Sequence, residues 1–275
     1  MTWVDLSASF QYGTKLTSAN QQQLRDNVTA LAYQDNGSPL IIGNRNAKTG
    51  LTTSNGTDTS HDIDIAVGEC IDSQNTEGIR LTSALTKQID ANWAVGTNAG
   101  GFPSGLTIAA DTWYHLFTIL DRDTGTVDAG WDTSLIAANL LADATAYDAY
   151  RRIASNLTDG SSNLLNYLQV SNIFRWLVPV LDVDVSDQGT SYTTRTMSVP
   201  TGFEVEAFGN AIGTTMQIRP PGASDSAPSI TSPLYFEETK WFCLTNTSGQ
   251  VETAATAASS TIAVTTEGWR DFFIS

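Results

Sequence analysis

Asp62-Ile63-Asp64-Ile65-Ala66-Val67 sets an apolar side chain at every second position, the period of a strand with one dry face and one wet face. The same period returns in Ile79-Arg80-Leu81, in Val127, Ala129 and Trp131, and in Leu181, Val183 and Val185 between Asp182, Asp184 and Ser186. Residues 113–120 are apolar on both faces, as in a covered central strand. Asp123-Thr124-Gly125 after them is a tight-turn signal leading to a return strand. Residues 150–157, 195–199, 203–207, 216–218, 234–236, 241–244 and 261–264 read as further strands, spaced by roughly 8–12 residues with turn signals between. Residues 135–150 are Ala-rich and predict a short helix or a long loop. This is an all-β pattern.

Composition supports it. Charged residues are 16% of the chain, against roughly 25% in ordinary globular proteins. Ser, Thr, Asn and Gly take their place and suit pleated surfaces and turns better than solvated helices. Apolar residues, at 41%, suffice for a core. A second module begins near Pro179. The expected fold is therefore two β-sandwich, jelly-roll-like modules, residues 39–178 and 179–275, behind a helical segment, residues 1–38.

In that segment Ser18-Ala19-Asn20-Gln21 reads as a capping box. Leu24, Val28 and Leu31 then recur at four and three residues, one apolar stripe on a helix that Asp35-Asn36-Gly37-Ser38-Pro39 stops. About four turns are marginal alone, so the stripe must pack against something. It packs either on its own β domain or on a partner. The three residues also hold successive d, a and d positions of a heptad, and an assembly or docking surface is the expectation.

The formal charge of -15, with no basic stripe, excludes a nucleic-acid partner. Met1-Thr2-Trp3-Val4-Asp5 has neither the basic start nor the apolar core of a signal peptide, and no apolar run approaches the ~20 residues of a membrane span. A soluble product of the cytoplasm, with no membrane insertion, is expected. Cys70 and Cys243 are too few and too far apart for a disulfide scaffold or a metal site, and read as buried free thiols.

Three Asp-rich stretches invite calcium: His61-Asp62-Ile63-Asp64, Asp121-Arg122-Asp123 and Asp182-Val183-Asp184-Val185-Ser186-Asp187. The sixth position of the last holds Asp187 where a calcium loop needs Gly, and its acids alternate with valines like the wet face of a strand. There is no Gly-x-Ser-x-Gly elbow, and the two histidines, His61 and His115, sit beside and inside strands. Gly100-Gly101 lacks the lysine and helix of a phosphate loop. No catalytic residue, metal ligand or cofactor is expected. Among the tryptophans, Trp93 in Ala91-Asn92-Trp93-Ala94-Val95-Gly96 is the best candidate for an exposed ring that stacks on a host glycan, the alternative being core or interface packing.

The stretch 85–101, Leu-Thr-Lys-Gln-Ile-Asp-Ala-Asn-Trp-Ala-Val-Gly-Thr-Asn-Ala-Gly-Gly, resembles a module of tailed-phage and prophage structural proteins. Asp64-Ile65-Ala66-Val67-Gly68-Glu69 before it continues the likeness, as do Ala110-Asp111-Thr112-Trp113-Tyr114-His115-Leu116, Asp123-Thr124-Gly125 and Tyr150-Arg151-Arg152-Ile153 after it. Leu16-Thr17 with Gln23-Leu24-Arg25-Asp26-Asn27-Val28 is similar to the openings of tail-fibre-like chains. The likeness is strong over about residues 15–160. It is looser through Pro179-Val180-Leu181-Asp182-Val183 and Gly268-Trp269-Arg270-Asp271. It implies a non-enzymatic virion component of the tail-fibre, collar, appendage or capsid-bound type, made in the host cytoplasm. Its implied partners are its own copies, as a homo-oligomer and most often a trimer, and other virion proteins. The alternative is a receptor-binding module for a host surface glycan.

Overall fold

The computed structural model describes residues 17–33, 48–213, 216–223 and 239–272. Strands dominate the described residues and helix is confined to two short elements, so the all-β expectation holds. Helix α1 spans Ser18–Tyr33. Its cap is Thr17 rather than Ser18: the Thr17 hydroxyl accepts the amide of Asn20 at 3.2 Å and its carbonyl accepts that of Gln21 at 3.0 Å. The cap sits one residue earlier than the box predicts, because an N-cap must itself be non-helical and Ser18 is already in the helix. The stop signal at residues 35–39 lies outside the described residues.

Short strands follow: β1 (Lys48–Gly50), β2 (Thr53–Asn55), β3 (Asp62–Ile65), β4 (Gly68–Ile71), β5 (Gly78–Leu81), β6 (Leu85–Asn92) and β7 (Ala99–Phe102). Longer β8 (Trp113–Asp121) and β9 (Thr126–Asp132) form the hairpin that Asp123-Thr124-Gly125 predicts. Helix α2 (Ala138–Asp143) and β10 (Ala149–Leu157) come next, then β11 (Tyr167–Val170) and β12 (Ile173–Gln188). The chain continues through β13 (Thr193–Thr196), β14 (Glu206–Gly213), β15 (Met216–Arg219), β16 (Thr239–Leu244), β17 (Gln250–Ala255) and β18 (Ser260–Arg270). The strand expected at residues 234–236 lies outside the described residues.

Two compact units result, and they divide within β10, between Ser155 and Asn156, with residues 110–113 also in the second unit. The boundary expected at 178/179 instead falls inside β12, whose ladder with β18 runs on both sides of it. In the first unit, β2-β3-β6-β7 are neighbours in one sheet, and β1-β4-β5 and β10-β8-β9 form two three-stranded sheets. Phe117 and Ile119 of β8 pack with Leu140 of α2 and Tyr147 in a core that excludes water. Burial of such side chains is worth about 1.5–3 kcal/mol each.

In the second unit, β16-β14-β18-β12-β11 are neighbours in one sheet and β13-β17-β15 form another. Side chains of both are buried, among them Phe174, Trp269, Val264 and Ile262 of the first and Val251, Ala254 and Ile218 of the second. Phe174 stacks on Trp269 with centroids 5.0 Å apart, and Trp113 and Trp176 close around the same indole.

The alternation read in β12 is out of phase at its start. Leu181 is exposed, whereas Asp182 turns inward and accepts the amide of Ser198 at 3.0 Å, its hydroxyl at 2.6 Å and the hydroxyl of Thr266. The cause is a register shift between Leu181 and Val183 against β18, since one extra residue sends later side chains to the opposite face.

Candidate functional site

Lys87, Ala94 and Gly96 of residues 85–101 meet at one buried ion pair in the first unit. Lys87 Nζ lies 3.2 Å from Asp128 Oδ1, and the two side chains are 0% and 1% exposed. The ammonium also donates to the carbonyls of Ala94 at 2.6 Å and Gly96 at 3.2 Å. The amide of Gly96 donates to Asp128 Oδ2 at 2.7 Å, and that of Ala129 to Oδ1 at 2.6 Å. Burial pushes the Lys87 pKa down, and Asp128 opposes that shift. An ammonium has three protons, and three acceptors meet them here.

This pair solves a problem of chain geometry. β6 and β7 are parallel, with Lys87 opposite Ala99 and Asn92 opposite Phe102. Parallel neighbours normally need a crossover of about a dozen residues or more. Here residues 93–98 alone make the return. Trp93 N–H donates to Phe102 O at 2.6 Å, Ala94 N–H to Gly100 O at 3.0 Å and Asn98 N–H to Thr86 O at 2.8 Å. The backbone polar groups left over inside the turn are those that Lys87 and Asp128 satisfy. Gly100 and Gly101 are a packing requirement rather than a phosphate loop. A Cβ at Gly100 would stand 2.0 Å from Asn92 O, and one at Gly101 2.7 Å from the Trp131 ring.

Trp93 belongs to the same knot. Its ring is half-buried, stands edge-on to Tyr147 at 5.5 Å and lies 5.7 Å from Lys87 Nζ, while its Nε1 donates to Ala129 O at 3.1 Å. The side chain chosen as the exposed sugar platform therefore packs against the β8–α2 core. A ring in a loop that folds back on its own sheet is covered by non-local neighbours, which local sequence does not reveal.

The acidic stretches are likewise used internally. Asp121 accepts the amides of Asp123 at 2.9 Å and Thr124 at 3.2 Å and the Thr124 hydroxyl at 2.6 Å, which closes the β8–β9 turn. Arg122 pairs with Asp72, Glu77 and Asp148 at 3.4, 2.9 and 3.1 Å. Asp64 accepts the Thr86 hydroxyl at 2.6 Å. Among the described residues no group of three or more His, Cys, Asp or Glu side chains is placed to hold a metal ion. His115 Nδ1 lies 2.9 Å from Ser155 Oγ, and both residues are buried on strands of one sheet, without the open face a substrate needs. His61 is nearer the surface, 2.9 Å from Asp58. Cys70 and Cys243 are free and buried, and burial pushes their thiols up to about 11 and about 12, so neither presents a reactive thiolate.

Two residues that sequence reading missed organise the first unit: Lys87 and Asp132. Asp132 is fully buried at the end of β9, and its Oδ2 accepts the amides of Asn139 and Leu140 at 2.7 and 2.8 Å. Its Oδ1 accepts the Ser134 amide and the Asn139 side-chain amide, each at 2.8 Å. It caps α2 from a distance, where the local N-cap Ala137 has no side-chain acceptor.

The surface differs from these closed interiors. On α1, Leu24 and Val28 are 47% and 59% exposed, while Asn27 is the buried position. The Leu31 side chain lies outside the described ones. Among the described residues no helix is long and apolar enough to cross a membrane. Comparison with protein-family models, with curated proteins and with solved structures finds no match.

Proposed function

We propose that the chain is a non-enzymatic structural component of a bacteriophage virion, a tail-fibre, collar, appendage or capsid-bound element. It docks through its N-terminal segment and forms a homo-oligomer, a trimer, through its β modules. The observation that carries this reading is the contrast between interior and surface. The Lys87–Asp128, Arg122 and Asp132 clusters of the first unit hold strands and turns, while α1 offers solvent an apolar stripe at Leu24 and Val28. Leu24 and Val28, exposed side by side on one face of a helix, support an assembly surface by the usual logic of amphipathic helices. The likeness of residues 85–101 to phage structural modules supplies the particle.

The test is to image a tagged copy on intact virions. Gold label at one fixed site on every particle, in a stoichiometry that is a multiple of three, is expected. Label confined to unassembled material would sink the reading. The glycan-binding alternative has less support, because Trp93, the ring it rests on, is half-buried and packs against the core of the first unit.

A further inference from the structure

One face of the five-stranded run of the second unit leaves large apolar side chains exposed among the described residues. Two rungs cross all five strands. The first is Leu168, Arg175, Gly268, Phe208 and Phe242, and the second is Val170, Ile173, Arg270, Glu206 and Leu244. Members of the two rungs are two residues apart on every strand, so all share one face. The rung between them points the other way, and Gln169, Phe174, Trp269, Ala207 and Cys243 are buried without exception. The core face is thus settled, and the two flanking rungs are the outer face.

That outer face is not built for water. A solvated antiparallel face carries polar side chains. Here the edge positions are Leu168 and Val170 at 51% and 58% exposure and Phe242 and Leu244 at 54% and 39%. Phe208 fills the middle, buried beneath the Arg175 guanidinium at 5.1 Å and beside Phe242 at 6.0 Å. Four strand spacings set the two apolar edges roughly 19 Å apart. Two exposed apolar edges on one sheet face, with ion pairs between them, are the mixed surface of an interaction site rather than of a solvated face.

The charge on the face selects the occupant. Arg270 pairs with Glu206 at 2.7 Å, and Glu267, placed at a bulge in β18, pairs with Arg175 at 3.7 Å and with Lys240. All three cations are more exposed than the two glutamates that hold them, so the charge presented outward is positive. The chain as a whole carries -15. Copies of such a chain repel wherever two acidic surfaces meet, and a cationic, apolar face is where an acidic copy approaches at least cost.

We propose that this face, with Leu168, Val170, Phe242 and Leu244 as its apolar contacts and Arg175, Lys240 and Arg270 as its charged ones, docks a second copy of the chain. The inference rests on the homo-oligomer proposed above and names its surface. Arg175 and Arg270, set between the two apolar edges, and Lys240 on β16 steer and orient such a contact, while the exposed aliphatic and aromatic side chains at the edges supply its apolar area.

Sedimentation equilibrium of the full chain at micromolar concentration tests it, beside the double variant Leu168→Glu/Phe242→Glu. The wild-type chain is expected to sediment as a multiple of 29.5 kDa and the variant as the 29.5 kDa monomer with an unchanged circular dichroism spectrum. Hydroxyl-radical footprinting of the wild-type chain guards against a variant that misfolds. Leu168 and Phe242 should be oxidised several-fold more slowly in the oligomer than after dilution to monomer. A folded variant that stays oligomeric, or equal oxidation in both states, overturns the face and leaves the homo-oligomer standing. A monomeric wild-type chain overturns both, and leaves attachment to the virion to be judged by imaging.

Discussion

Lys87 and Asp128 face each other at 3.2 Å inside the first unit, on β6 and β9, with no exposure to solvent on the lysine and 1% on the aspartate. Their pairing lets a parallel strand pair close through residues 93–98 alone, because together they satisfy the carbonyls of Ala94 and Gly96 and the amide of Gly96. Removing one partner strands the other as an uncompensated buried charge, at a cost of about 3–5 kcal/mol. Asp128→Ala should therefore lower the unfolding free energy, read from urea titration, by that much. Lys87→Met/Asp128→Leu should lose less than the two single changes summed, since it leaves no charge behind. A change below about 1 kcal/mol for Asp128→Ala would show that the pair does not hold the loop.

Asp132 gives a second test. It accepts four hydrogen bonds, two of them from the first-turn amides of α2. Asp132→Ala is expected to cost at least about 2 kcal/mol, through the lost cap and buried amides left unmet. Asp132→Asn should recover only part, since its amide group donates where an acceptor is needed. Thermal unfolding followed at 222 nm reads both, and a wild-type melting temperature for Asp132→Ala would remove Asp132 from this role.

His61 predicts a pH dependence. Its hydrogen bond to Asp58 raises its pKa above the ordinary 6.5, opposed by partial burial and helped by the charges of Asp58, Asp90 and Asp62. A folded pKa above the unfolded one means that the native state binds the extra proton. This contribution is fully present below about pH 6.5, the usual unfolded value, and is lost as the pH rises through the higher folded value. The melting temperature should accordingly fall between pH 6 and pH 8.5 by more in the wild-type chain than in His61→Gln. Parallel curves for the two proteins would refute the linkage.

Deleting residues 1–36 separates docking from folding. With Leu24 and Val28 exposed on α1, the truncated chain should keep its β units at nearly unchanged stability and lose its attachment to the particle. Unfolding or aggregation of the truncated chain would make the helix part of the core, and the docking role would fall.

Much of this architecture was legible in local chemistry. Alternation in Ile63 and Ile65, the apolar run of β8, the Asp123-Thr124-Gly125 turn and the stripe of α1 depend on neighbours within a few residues, and a period of two or of 3.6 expresses them directly. Other features depended on strands far away in the chain. The phase of Leu181 and Asp182 was set by a register shift against β18, and the ends of β12 by a ladder that crosses the expected module boundary. Thr17 took the cap from Ser18 by one residue, which propensity does not resolve. Nothing in the local pattern marks Lys87 as buried, and only β9, arriving with Asp128 some forty positions later, made it a buried ion. Trp93 was covered for the same reason, by Tyr147 and Ala129. The sequence by itself determined strands such as β3, β5, β8, β9 and β10, because side-chain periodicity is a local property, whereas β1, β2, β4, β6, β7, β11 and β17 were not legible in it. Only the tertiary structure decided which charges are buried, which aromatic is covered and which apolar rows stay exposed, because burial is fixed by non-local neighbours.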